Sequence, residues 1–257
     1  MDWLIASKPV VLLHAFPFNP GMWLPQIAEL DGRYSLYAPA LPGFGGREPG
    51  PANLQDWAGE LNDVLDYLGF QEAVLVGLSM GGYLAFRMWE LFPDRIVGLV
   101  LADTRAQPDD EEGKKKRAEL AARVRAEGTE VLVDDFVPAV LSKSTLASSD
   151  EGKRAVVRSL ETWVREADPE GVARALEALA GRPDSRPLLS EIDVPTLILV
   201  GEEDTLTPPE DARAMAAAIP DSEFLIIPGA GHMANLENPM AFNTALLGFL
   251  EKIYWDV

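Results

Sequence analysis

Apolar residues follow one another without polar alternation at residues 73–78 (AVLVGL) and 10–13 (VVLL). That is the pattern of a strand whose two faces are both covered by helices. The same reading gives strands at residues 34–38, 96–102, 196–200 and 223–227. Between them the apolar period lengthens to three and four residues. Leu54, Trp57, Ala58, Leu61, Val64, Leu65 and Leu68 mark one face of an amphipathic helix that Asn53 caps and Gly69 stops. Residues 80–91 stay apolar at helical length, broken only by Arg87 and Glu90, and helices are also expected over 21–30, from Pro209 to about 219, and over 237–254. Strands alternating with helices predict a right-handed, mostly parallel sheet with helices on both faces.

The alternation stops after Asp103-Thr104-Arg105. No strand-like run follows until residue 196. The intervening segment predicts helices that begin near Asp109, then at 129–141, 151–167 and 169–180, with residues 183–192 of loop composition. Acids at 109–112 stand before the bases Lys114 to Arg117, so Asp110/Lys114, Glu111/Lys115 and Glu112/Lys116 are spaced for ion pairs on a solvated helix face. The chain therefore reads as a core of residues 1–105 and 190–257, interrupted by an all-helical cap, residues 106–189.

Composition narrows the partners. A length of 257 residues suits one α/β domain with an insertion, and a formal charge of −19 repels phosphate backbones and anionic bilayers, so neither nucleic acid nor membrane is expected as a partner. With no cysteine in the sequence there is no disulfide, thiolate nucleophile or cysteine metal site. The N-terminus carries Asp2 in place of a basic region, and its apolar run is broken by Lys8 and Pro9, so no signal peptide is expected and a cytoplasmic location is the default.

The candidate chemistry sits where predicted strands end. In open α/β sheets the reactive loops gather beyond the carboxyl ends of the strands. The His14 loop, Ser79, Asp204 and His232 each follow a strand directly. Strand 73–78 turns into helix 80–91 with no loop between them, which strains the residue at the bend. Gly77 and Gly81 make room for that bend, and it lifts the Ser79 hydroxyl above the sheet and puts the Met80 N–H at a helix N-terminus. With 21 glycines in the chain, a Gly-x-Ser-x-Gly match alone is weak, and the partners must decide. A serine hydroxyl needs a base to take its proton and a carboxylate to orient that base. His232 suits the base. The acid is open among Asp204, Glu202, Glu203 and Asp103.

Gly77-Leu78-Ser79-Met80-Gly81, Gly201-Glu202-Glu203-Asp204 and Gly229-Ala230-Gly231-His232, in that order, resemble the nucleophile elbow, acid loop and histidine loop of the α/β-hydrolase family, serine-nucleophile branch. The resemblance spans nearly the whole chain outside the insertion and implies the α/β-hydrolase fold with an inserted helical cap. It assigns the catalytic roles to Ser79, Asp204 and His232, with Asp103 as the alternative acid. It places the oxyanion on the backbone N–H groups of Phe16 and Met80, although Ala15 stands where the family usually has glycine. His14 reads as a loop anchor. With two histidines far apart no metal site is expected, and the resemblance implies no cofactor.

Within the family the pattern is most similar to 3-oxoadipate enol-lactonase-type hydrolases and carboxylesterases. The implied activity is that of a serine hydrolase on small carboxylic esters or lactones, working through an acyl-enzyme. The same elbow also occurs in cofactor-free haloperoxidases or perhydrolases and in carbon–carbon bond hydrolases, and a small-molecule receptor using the same pocket is the alternative of another class. Met22, Trp23, Phe136, Trp163 and Met233 are candidates for the pocket lining.

Overall fold

The computed structural model describes residues 8–255, so the reading of the first seven residues lies outside the described part. The strands are β1 (Pro9–Leu13), β2 (Ser35–Tyr37), β3 (Ala73–Leu78), β4 (Ile96–Ala102), β5 (Thr196–Gly201) and β6 (Ser222–Ile227). They form one sheet in the order β2-β1-β3-β4-β5-β6, with every neighbouring pair parallel. Successive residues of a strand point to opposite faces, yet every residue of β1, β3 and β5 is buried. Both faces of the sheet are therefore covered, as the unbroken apolar runs require. The edge strand β6 alternates between partly buried and exposed positions instead.

The helices are α1 (Leu24–Leu30), α2 (Leu54–Leu68), α3 (Met80–Leu91), α4 (Glu111–Glu127), the single turns α5 (Phe136–Ala139) and α6 (Lys143–Leu146), α7 (Glu151–Glu166), α8 (Pro169–Ala180), α9 (Pro209–Ala218), the single turn α10 (Ala234–Glu237), and α11 (Pro239–Trp255). Side-chain caps open several of them. Asn53 accepts the Asp56 N–H at 2.8 Å, and Gly69 ends α2 with φ at +73°. Asp110, Asp150 and Asp168 cap α4, α7 and α8 in the same way.

Prolines account for most departures from the expected elements. A continuous helix over 129–141 would hold Pro138 in its interior, where its ring collides with the preceding turn. The segment instead forms a 3-10 turn at Thr129–Leu132 and then α5. Pro25 likewise divides 21–30 into a 3-10 turn, Pro20–Trp23, and α1, and Pro239 opens α11 two residues after the expected start. Residues 183–192 contain a 3-10 stretch, Arg186–Glu191. Of the three ion pairs expected on α4, Glu112–Lys116 forms at 2.6 Å. Lys114 turns to Glu111 and Lys115 to Glu119, because Asp110 is occupied as the cap, accepting the Gly113 N–H.

Candidate active site

The strand-to-helix bend is as abrupt as the sequence implies. Ser79 lies between β3 and α3 with φ 54° and ψ −112°, a conformation uncommon for a side chain with a Cβ. Its neighbours hold it there. The Ser79 N–H donates to the Ala102 carbonyl at 2.9 Å, and its own carbonyl accepts from Gly82 N–H, Tyr83 N–H and the Thr104 hydroxyl. Such strain persists only where surrounding bonds over-determine the backbone. A Cβ on Gly77 would lie 2.4 Å from the Gly81 carbonyl oxygen, and one on Gly81 would lie 2.1 Å from that of Leu13. No other residue fits either position. Met80 is the first residue of α3, so its N–H has no partner within the helix.

His232 and Asp204 meet above the carboxyl ends of β6 and β5. The His232 Nδ1–H donates to Asp204 Oδ2 at 2.8 Å. The remaining acceptor sites of Asp204 are filled by Leu206 N–H at 2.9 Å, Thr207 N–H at 3.1 Å and the Thr207 hydroxyl at 2.6 Å. Burial opposes ionisation of this carboxyl, but the His232 imidazole and the Thr207 donors outweigh it and hold the Asp204 pKa below its ordinary value. A fixed carboxylate on Nδ1 leaves Nε2 as the nitrogen that can exchange a proton with a nucleophile.

The competing acids are engaged elsewhere. Asp103 is fully buried with φ 43°, and its Oδ1 accepts the Gly201 N–H at 2.7 Å. Burial, reinforced by the charges of Asp204 and Glu237, pushes its carboxyl well above the usual range. Glu202 accepts the Gly229 N–H and Glu203 the Lys143 N–H. Only Asp204 reaches the imidazole among the described residues.

A cavity of about 230 Å³ opens on Ser79 and His232 and is lined also by Phe16, Tyr83, Arg105, Arg117, Phe136, Leu179, Leu206 and Thr207. Of the five pocket candidates only Phe136 is on this wall. Met22, Trp23 and Met233 are fully buried core residues: Met22 sulfur takes the Ala15 N–H at 3.2 Å, and Trp23 packs on Phe242. Trp163 packs on Phe18 beside a separate small cavity. Apolar composition does not distinguish a residue filling the core from one lining a cavity. The residues that the pattern did not single out are Tyr83, Arg105, Arg117, Leu179, Leu206 and Thr207. Arg117 belongs to the run read as a solvated face. The signal that could have found it is its place on the same helical face as Ala121 and Val124, which are buried.

His14 stays outside this cavity. Its Nδ1–H donates to the Ala15 carbonyl and its Nε2 accepts the Leu41 N–H, both at 3.0 Å, and burial lowers its pKa to about 4. The neutral ring thus ties the loop carrying Phe16 to the turn that begins at Leu41. Among the described residues, no group of three or more His, Asp or Glu side chains is arranged to hold a metal ion, and no helix is long and apolar enough to cross a membrane.

Comparison with known proteins identifies the family. Residues 10–245 match the sequence profile of the Alpha/beta hydrolase family. Two 3-oxoadipate enol-lactonases of Acinetobacter baylyi are similar to the chain. One is 27% identical over 250 residues, covering 96% of this chain and 90% of that protein; the other is 29% identical over 248 residues, with the same coverage. A solved structure of a thermophilic esterase from Thermogutta terrifontis, with malate bound, is 39% identical and superposes with a TM-score of 0.92 over 96% of this chain and 91% of that one. The enol-lactonase from Burkholderia xenovorans LB400 is 27% identical, with a TM-score of 0.86 over 95% and 91%.

Proposed function

The chain belongs to the alpha/beta hydrolase family, and from that premise we propose that it is a serine hydrolase that cleaves small carboxylic esters or lactones through an acyl-enzyme. The observation that carries this reading is the 2.8 Å bond from His232 Nδ1 to Asp204 Oδ2, with His232 and the strained Ser79 lining the same cavity.

In the proposed reaction the Ser79 hydroxyl attacks the carbonyl carbon while His232 Nε2 takes its proton. The carbonyl oxygen becomes an oxyanion, held by the N–H groups of Met80 and Phe16; a donor of this kind is worth about 3 kcal/mol in comparable enzymes. The intermediate then collapses, the carbon–oxygen bond to the leaving group breaks, and His232 returns the proton to the departing alkoxide. A water molecule, deprotonated by the same nitrogen, attacks the acyl-enzyme, and the acid leaves as Ser79 regains its proton. Asp204 stays ionised and stabilises the imidazolium. From a lactone, the alcohol remains attached to the released acid.

Residues 106–189 are proposed to act as a cap over a core of residues 1–105 and 190–257. In support, Arg117, Phe136 and Leu179 of that segment form part of the cavity wall. The similarity to enol-lactonases and an esterase supports the same bond type. The decisive experiment is steady-state hydrolysis of 4-nitrophenyl acetate and butyrate by the protein and its Ser79→Ala variant, together with fluorophosphonate labelling of Ser79. Turnover lost in the variant is expected. Turnover unchanged in Ser79→Ala, or stoichiometric binding without turnover, overturns the reading.

A further inference from the structure

The cavity carries positive charge that ester hydrolysis does not use. Its wall includes Arg105 and Arg117 and, among the described residues, no carboxylate, in a chain where 41 acids outnumber 22 bases. Placing two guanidinium groups beside Phe16, Phe136, Leu179 and Leu206 costs desolvation that a counter-charge must offset.

The protein supplies only part of that counter-charge. Arg105 comes from the loop after β4 and Arg117 from the second turn of α4. Both converge on Asp109, Arg105 Nη2 donating to Oδ1 at 2.8 Å and Arg117 Nε to Oδ2. Arg182, itself nearly inaccessible and stacked 4.4 Å over the Tyr83 ring, donates to the same Oδ1 at 2.8 Å. Burial disfavours the charged form of Asp109, but the arginines outweigh it and keep the carboxyl far below its usual range. Asp211 adds negative charge near Arg105 while bonded to Gln107. One carboxylate, Asp109, is thus shared by three guanidinium groups, two of which, Arg105 and Arg117, line the cavity.

The arginines are also held in place. Asp109 accepts one bond from each guanidinium, while Nη1 and Nη2 of Arg117 and Nε and Nη1 of Arg105 donate none among the described residues. A planar guanidinium tethered by one bond, with further donors left over, can receive a carboxylate. The cavity, at about 230 Å³, is smaller than the 300 Å³ or more usual for drug-sized ligands, so the molecule it accepts is short.

We propose that Arg105 and Arg117 form a carboxylate subsite of the catalytic cavity, so that the preferred substrate is a short half-ester or lactone bearing an ionised carboxylate remote from the scissile bond. This rests on the hydrolase reading above and specifies its substrate class. The neutral part of the wall takes the chain between the two ends, Ser79 attacks one end, and the arginines anchor the other.

The test compares monomethyl adipate with methyl hexanoate at fixed ionic strength, two esters that differ chiefly by a carboxylate in place of a terminal methyl. A kcat/KM at least tenfold higher for the half-ester is expected, carried mainly in KM. Arg117→Met should collapse that ratio toward one, and Arg117→Lys should retain part of it. Arg105→Met serves if Arg117→Met does not fold. Equal rates on both esters in the wild type, or a ratio unchanged in the variants, overturns the subsite. Fluorophosphonate labelling of Ser79, run in parallel, separates the two readings. If Ser79 labels, adipate should slow labelling in the wild type and not in Arg117→Met. If Ser79 does not label, the hydrolase reading fails, and the subsite is then judged by whether adipate raises Tm in the wild type alone. Inorganic phosphate protecting better than adipate overturns the choice of a carboxylate.

Discussion

The Glu237 carboxylate accepts the Gly231 N–H at 2.8 Å, one residue before His232. Its other oxygen takes the Ser142 N–H, also at 2.8 Å, so one buried side chain ties the histidine loop to the helical insertion. Met233 N–H adds a bond to the Val140 carbonyl. Removing Glu237 strands two buried donors, at about 1–3 kcal/mol each. Glu237→Ala should therefore lower the urea midpoint by the equivalent of about 2–6 kcal/mol and reduce kcat on a 4-nitrophenyl ester, with Glu237→Gln in between. Wild-type stability in Glu237→Ala would show that the tie is dispensable.

Asp204 and Asp103 follow neighbouring strands, are both buried, and differ in what faces them. Asp204 bonds the imidazole and is held ionised, whereas Asp103 bonds a backbone N–H and is pushed toward its neutral form. Asp204→Asn should lower kcat by ~10⁴-fold, the loss expected when the orienting carboxylate becomes an amide. Asp103→Asn keeps an acceptor for Gly201 N–H and should leave kcat/KM within about threefold. The sign for stability follows from the direction of the shift. A carboxyl whose folded pKa is raised stabilises most below its ordinary pKa and loses that contribution as pH rises. Asp103→Asn should therefore gain stability relative to the wild type as pH increases from 4 to 8. An activity loss in Asp103→Asn as large as in Asp204→Asn would make Asp103 the orienting acid.

The elements best foretold by sequence are those whose environment is uniform. β3 and β5 are covered on both sides, so every residue answers to the same constraint and the apolar run is unbroken. Asn53 and Gly69 report local backbone chemistry and needed no tertiary context. Trp23 and Met233 were out of reach for the opposite reason, since an apolar side chain bears no mark of whether it faces core or cavity. Arg117 looked like one of four consecutive bases, and only the fold brings Asp109, Arg105 and Ser79 near it. The order of elbow, acid and histidine loop was legible because each lies within a few residues of a strand end. The charge on the cavity wall comes from Arg105 in a loop and Arg117 on a helix, which no single periodicity joins.

The bend at Ser79 depends on absent atoms. Gly77→Ala would bring a Cβ to 2.4 Å from the Gly81 carbonyl oxygen, and Gly81→Ala to 2.1 Å from that of Leu13. Both neighbours are backbone and cannot rotate away, so each variant should lose at least about 3 kcal/mol, the upper end of ordinary overpacking, along with most activity. Gly59 in α2 is the control: a Cβ there meets nothing within 4 Å. Gly59→Ala should gain about 1 kcal/mol from helix propensity. Urea denaturation of the three variants checks the contrast, and equal stabilities for Gly59→Ala and Gly77→Ala would remove the steric explanation of the bend.

His14 sets an acid limit on the fold that is separate from catalysis. Its imidazole is fully buried and neutral, accepting the Leu41 N–H, with a pKa lowered to about 4 from the ordinary 6.5. Between those two values the unfolded chain binds a proton that the folded chain does not. Stability is therefore whole above about pH 6.5 and falls as pH drops toward 4. The difference in pKa corresponds to about 3 kcal/mol over that window. Carboxylates such as Asp103 add their own pH dependence, so the measurement is a difference between wild type and His14→Gln. The unfolding free energies of the two proteins, taken from urea curves between pH 7.5 and 4.5, should converge on acidification, because the variant lacks the proton uptake that destabilises the wild type. Parallel curves would mean that His14 is protonated alike in the folded and unfolded chains, which its bond from Leu41 does not allow.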